Sequence, residues 1–279
     1  MSKYRKALVP LFVVIIVTIA VVTIAATLRQ QDNRADEKQR AIQKRVHVED
    51  YPIADYESQE LIDPQERDKR KARNHRHNLP DVKNEDLDRF TLKENSPSIS
   101  IPLSASHPKT EPAIPIAESN AIVVGEVLGA QAYLSGDKTN VYSEFTVRVA
   151  DMLKNSSAGS LYPGAQLTAE RLGGRVRLPS GKILLLGAPY GKNMPRVEQR
   201  YILFLRQNYE GQDYSIITAY ELRSGRVFPL DGSPEGDGKS RQFTEYEKYA
   251  DIDETIFIND VRAAIEKGAK MRAPIPTVY

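Results

Sequence analysis

Cysteine and tryptophan are both missing from the 279 residues, and there are only four histidines. Without thiols the chain has no disulfides, no Cys-ligated zinc, no thiol nucleophile and no lipid-modified lipoprotein cysteine. The histidines, His47, His75, His77 and His107, all precede residue 118. A Ser-His-Asp triad is therefore excluded from the C-terminal part of the chain, where no G-x-S-x-G elbow occurs either. A phosphate loop is also lacking. Gly238-Lys239-Ser240 would need a glycine five residues upstream, and Ser233 stands there. Nor is there an excess of one charge sign: 39 basic residues face 37 acidic ones, so overall electrostatics select no partner.

One long hydrophobic run is present. Ala7 to Leu28 continues for 22 residues without a charge, preceded by Lys3, Arg5 and Lys6. About 20 apolar residues span a hydrocarbon core, whereas the apolar stretch of a cleaved signal peptide has only about 7–15. The basic flank places the N-terminus in the cytoplasm and everything after Arg29 outside it. The expected location is thus the cell membrane, with a single span (residues 1–28 including the cytoplasmic stub) and an extracytoplasmic C-terminal domain.

Residues 29–117 read as a disordered tether. Arg29 to Arg89 contains 14 basic and 15 acidic residues with few large apolar side chains, and five prolines fall between Ser96 and Pro115. Such a segment buries too little apolar surface to offset its ordering entropy. His75-Arg76-His77 within it reads as part of a solvated basic run rather than a metal site.

From Glu118 the texture becomes β-rich, and residues 118–271 are expected to form one domain, with 272–279 an extended tail. "AIVVGEVLGAQAYL" has Gly125 and Gly129 where a strand bends or bulges. "VYSEFTVRV" alternates, Val141, Phe145, Val147 and Val149 on one side and Tyr142, Glu144, Thr146 and Arg148 on the other, as in a half-buried strand. "RVRLPSGKILLL" reads as a hairpin turning at Pro179-Ser180-Gly181. "RYILFLRQ" is apolar on both faces, with Ile202 and Phe204 pointing one way and Tyr201, Leu203 and Leu205 the other. Only the end is helical: Asp253 or Thr255 caps "TIFINDVRAAIEKGAK", with Ile256, Ile258, Val261 and Ile265 as its core face. Successive short strands with turn chemistry between them predict a mainly β fold. The expected form is a small antiparallel OB-like barrel covered outside by the C-terminal helix.

"VVGEV", "VYSEFTVRVADMLKN", "GAQLTAERLGG" and "RYILFL", in that order across Ala121 to Leu230, resemble bacterial envelope proteins with an N-terminal anchor and an OB-like barrel of the netrin/tissue-inhibitor type. The resemblance implies the barrel. Metalloprotease inhibition by the tissue-inhibitor mechanism, which uses an N-terminal cysteine, is not implied here.

Charge is distributed unevenly within the domain. Residues 171–200 hold Arg171, Arg175, Arg177, Lys182, Lys192, Arg196 and Arg200 against Glu198 alone, while residues 229–260 hold nine acids and three bases. Either the two segments neutralise one another, or the first presents a basic face to an anionic envelope polymer. Outside the cytoplasm nucleic acid is not the expected ligand, and a protein partner remains an alternative. "DGSPEGDG" (231–238) reads as an acidic loop, its spacing failing the EF-hand pattern. No catalytic residues, cofactor or metal are expected. The function indicated is a non-enzymatic, membrane-anchored binding or scaffolding module of the cell envelope. The alternatives are a sensor or assembly subunit acting through its span and a carboxylate-based hydrolase.

Overall fold

The computed structural model describes residues 48–57, 63–78, 112–156, 161–186, 192–210, 212–232 and 244–272. The expected membrane span, Ala7–Leu28, and the tail beyond Arg272 lie outside them. Among the described residues no helix is long and apolar enough to cross a membrane.

Ten strands and three α-helices are described. The strands are β1 (Ile53–Asp55), β2 (Ala121–Leu134), β3 (Val141–Asn155), β4 (Gln166–Leu172), β5 (Gly174–Arg177), β6 (Ile183–Leu186), β7 (Arg200–Asn208), β8 (Asp213–Arg223), β9 (Arg226–Pro229) and β10 (Ile252–Asp253). The helices are α1 (Pro64–Arg76), α2 (Thr244–Glu247) and α3 (Glu254–Arg272). The protein is mainly β with a C-terminal helix, as its hydropathy pattern predicts.

Strands β2, β3, β4, β8 and β7 pair in that order, and β7 returns to β2, so the sheet closes on itself. The closure is not wholly antiparallel. β4 and β8 run parallel through only two register pairs, Ala169↔Tyr214 and Glu170↔Ser215. β9 and β10 extend the sheet beyond β8. A separate three-stranded sheet, β1-β5-β6, carries the expected hairpin, with Gly181 at φ +83° in its turn.

Local chemistry sets the bends. β2 shifts register on β3 at three points, two of them adjoining Gly125 and Gly129. A Cβ at Gly125 would lie 2.6 Å from Val147 Cγ1 and 3.0 Å from the Arg148 carbonyl, so only glycine permits that approach. The β8–β9 hairpin turns through Ser224 and Gly225, with φ values of 52° and 71°, the double positive φ of a type I′ turn.

The two faces of β7 enter different cores. Tyr201, Leu203 and Leu205 join Val123, Phe145, Val147 and Leu167 inside the barrel. Ile202 and Phe204 face outward and meet Tyr220, Phe257 and Val261 beneath α3. Asp253 caps α3, its Oδ1 accepting from the amides of Thr255 at 2.9 Å and Ile256 at 3.2 Å. The helix face differs from expectation by one position. Phe257 is fully buried while Ile256 is 57% exposed, because the first turn presents Phe257 to Tyr220, 4.7 Å between ring centroids.

The expected tether is corrected over its described parts. β1 pairs with β5 in parallel, and α1 lies against β3, β4 and β8 through side-chain bonds. Residues 112–117 also pack on the barrel: Tyr220 Oη donates to the Ala113 carbonyl at 2.6 Å, and Lys154 Nζ to that of Ile116 at 2.7 Å. The folded unit thus begins upstream of 118. Polar bonds hold these segments in place of apolar burial, which a hydropathy criterion does not register. The rest of 29–111 lies outside the described residues.

Candidate functional site

α1 is the least apolar element of the protein. In its sequence, PQERDKRKARNHR, Ala72 is the only aliphatic side chain apart from the Pro64 ring. Arg70, Arg73 and Arg76 recur at a spacing of three, which keeps them within roughly 120° of the helix circumference. That arc faces three carboxylates on the barrel. Arg70 pairs with Glu144 on β3, and Arg73 lies 3.4 Å from Glu144 and 3.7 Å from Asp213. Arg76 pairs with Glu170 on β4 and reaches Asp213 on β8 at 3.0 and 3.1 Å. His77, just past the helix, lies 3.1 Å from Glu170 and stacks on Tyr142, 4.5 Å between centroids. Tyr142 donates to Asn74 at 2.6 Å, and the Arg70 guanidinium sits 3.5 Å over the Tyr133 ring.

These carboxylates are deeply buried, Glu170 at 1% and Asp213 at 1% exposure. Burial pushes Glu170 up, but His77 and Arg76 bonded to it outweigh burial and hold it below its ordinary range. Glu144 ends above its ordinary range, burial outweighing Arg70 and Arg73. Asp213 is likewise raised, burial and the neighbouring Glu170 outweighing its arginines.

A second polar cluster lies along the same strands. Past Glu170 and Ser215 the β4–β8 ladder stops, and side chains satisfy the backbone instead. The Ile217 carbonyl accepts from Lys192 Nζ at 2.8 Å and Arg171 Nη2 at 3.3 Å. Both cations share one carboxylate, Asp231, at 2.7 Å for Arg171 and 3.2 Å for Lys192. Asn193 joins through its amide and the Leu230 carbonyl. Burial pushes Asp231 up, yet Arg171 and Lys192 hold it below its usual range.

Between the two clusters is a groove of about 230 Å³ lined by His77, Glu170, Arg171, Lys192, Arg206, Ser215 and the adjoining β4 and β8 residues. It has the makings of a polar binding site with cations on its wall. Its carboxylate is already engaged: Glu170 Oε1 accepts from Arg76, from Asn208 at 3.3 Å and from Ser215 at 3.2 Å. Ser215 thus donates to the glutamate, and Glu170 stands between Ser215 and His77. A nucleophilic triad needs the histidine in the middle. Among the described residues no group of three or more His, Asp or Glu could hold a metal ion.

The seven basic residues singled out from the sequence do not form one face. Arg171 and Lys192 line the groove. Arg175 and Arg177 bond across the small sheet, to the Tyr51 carbonyl at 2.8 Å and to Asp55 at 3.0 Å, and Lys182 sits at its hairpin turn. Arg196 forks onto Glu221 at 3.0 and 3.1 Å, and Arg200 reaches Glu254 at 2.9 Å. The expected basic face is corrected accordingly. Pairing with Asp231 and Glu254 is the neutralising arrangement, favoured because a buried cation needs a partner. Sequence reasoning missed His77, the α1 arginines and their three carboxylates. The arginine spacing was a usable signal, but without a matching apolar stripe it reads as a solvated face.

Comparison with models of protein families gives no match, and comparison with curated proteins gives none either.

Proposed function

We propose that this protein is a membrane-anchored binding module of the cell envelope whose barrel, of the OB type, takes an anionic group in the β4–β8 groove. The span Ala7–Leu28 with its basic flank supports the anchor and the extracytoplasmic placement of the barrel. Five strands closed through one short parallel seam support the OB-type reading. One observation carries the ligand class: Arg171 and Lys192 share a single carboxylate, which leaves an excess of positive charge at the groove wall, with Arg206 at the rim. Below the ~300–1,000 Å³ typical of small-molecule pockets, the groove has room for one anionic unit of a polymer. Binding is favoured over catalysis because each carboxylate along the seam is already bonded to arginine, lysine or histidine.

The test uses the full chain in detergent and immobilised heparin or anionic liposomes. Retention is expected at low salt, weakening steeply as the Debye length shrinks, and falling when Lys192 and Arg206 become Gln. Absence of retention at low salt would end the reading. Protease added to spheroplasts is expected to digest the barrel; full protection by an intact inner membrane would overturn the placement.

A further inference from the structure

We propose that α1 is a releasable strap whose docking sets the charge of the groove, so that anion binding requires α1 to be seated. The proposal rests on the anion reading of the groove given above.

The strap and the groove share residues. Glu170 lines the groove, and the groups that neutralise it, Arg76 and His77, come from α1 and the residue after it; His77 itself lines the groove. With α1 seated, Glu170 and Asp213 are matched by Arg76 and Arg73, and the groove presents Arg171, Lys192 and Arg206. With α1 lifted, Glu144, Glu170 and Asp213 lose the arginines, and an anion in the groove would face a bare carboxylate at its wall. The site would pass from attracting an anion to repelling it.

The composition of the contact makes release feasible. α3 is fastened by Phe257 and Val261, whereas every bond α1 makes to the barrel is polar, and its side chains offer almost no apolar area. A contact of opposite charges opens at less cost when salt stabilises the separated charges, and locally weak units open ahead of the core. Reciprocity follows: if seating α1 favours the anion, a bound anion must favour seated α1 by the same factor.

The experiment is amide hydrogen exchange on the full chain in detergent, following 64–76 against β7, together with binding of short-chain polyphosphate at fixed low salt. Raising NaCl from about 0.05 to 1 M is expected to speed exchange in α1 at least ~10-fold while β7 is unchanged. Polyphosphate at low salt is expected to slow α1 exchange. The triple variant Arg70→Gln/Arg73→Gln/Arg76→Gln is expected to release α1 and weaken polyphosphate binding at least ~10-fold. Arg67→Gln/Lys69→Gln/Lys71→Gln removes the same charge away from the carboxylates and is expected to keep both α1 protection and affinity within about twofold. If the first triple variant fails to fold, the salt and polyphosphate arms on the unaltered chain decide. α1 exchanging in step with β7 at all salt concentrations would overturn the strap. Wild-type binding with no effect of polyphosphate on α1 would overturn the coupling while leaving the anion site in place. No binding by the wild type would remove the anion site itself, and this proposal with it.

Discussion

Under α3 the outer surface of the barrel is Ile202, Phe204, Tyr220 and Val227, met by Phe257 and Val261. Under α1 it is Glu144, Glu170 and Asp213, met by Arg70, Arg73 and Arg76. One barrel is closed by two helices using opposite chemistry. Apolar burial is non-directional and gains roughly 25 cal/mol per Å². Buried ion pairs gain little over apolar packing but cost about 3–5 kcal/mol when one partner is lost. The α3 side therefore supplies stability, and the polar side supplies a defined position for the N-terminal segment.

The largest expected effect lies under α3. Phe204→Ala or Phe257→Ala is expected to destabilise the fold by about 3–5 kcal/mol in denaturant titrations of the full chain. A loss under ~1 kcal/mol would erase the contrast between the helices. On the polar side, Arg171→Met leaves Asp231 with Lys192 alone and is expected to cost about 3 kcal/mol. Adding Asp231→Leu is expected to recover part of that loss, because the stranded carboxylate is removed as well. Additive losses in the double variant would show that packing, and not charge pairing, holds the seam.

Acid separates the two sides further. Glu170 and Asp231 are held below their ordinary values, so the stability they contribute is complete above about pH 4–4.5 and fades as pH falls through their lower folded values. Glu144 and Asp213 are raised by burial; their charged forms cost stability as pH rises through their folded values, and protonation relieves that cost. Asp231→Asn is therefore expected to flatten the loss of stability on acidification below about pH 4, measured by denaturant midpoints across pH. An unchanged slope would assign acid sensitivity elsewhere.

Smaller effects bound the comparison. Asp253→Ala removes the α3 cap and is expected to cost about 1 kcal/mol. Arg200→Ala breaks an ion pair whose arginine is 51% exposed and is expected to cost under about 0.5 kcal/mol. A cost above ~1 kcal/mol there would mean that surface pairs matter more than the contrast allows.

The legible parts of the sequence are those in which burial follows local pattern. The two faces of β7, the β5–β6 hairpin, the bends near Gly125 and Gly129 and the Asp253 cap all depend on neighbours in the chain or on strand alternation. Tyr142 and Glu144 broke that rule. They alternate as solvent-facing residues yet are buried, because α1, 72 and 74 residues away for the Arg70 bonds, covers them. Arg76 and Asp213 are separated by 137 residues. No local pattern encodes such a pairing, and either partner alone reads as ordinary surface charge.

By itself, the sequence determined what depends on composition and short-range periodicity: a mainly β fold, the strands and turns in order, a capped C-terminal helix and the apolar faces that helix covers. Only the tertiary structure decided which charges meet. It divided seven basic residues among a seam, a small sheet and the α3 side, and drew part of the expected tether onto the barrel. The physical reason is range. Apolar side chains declare their burial through spacing along one element, whereas a charge is buried only when a distant element supplies its counter-charge, and that partner is chosen by the fold.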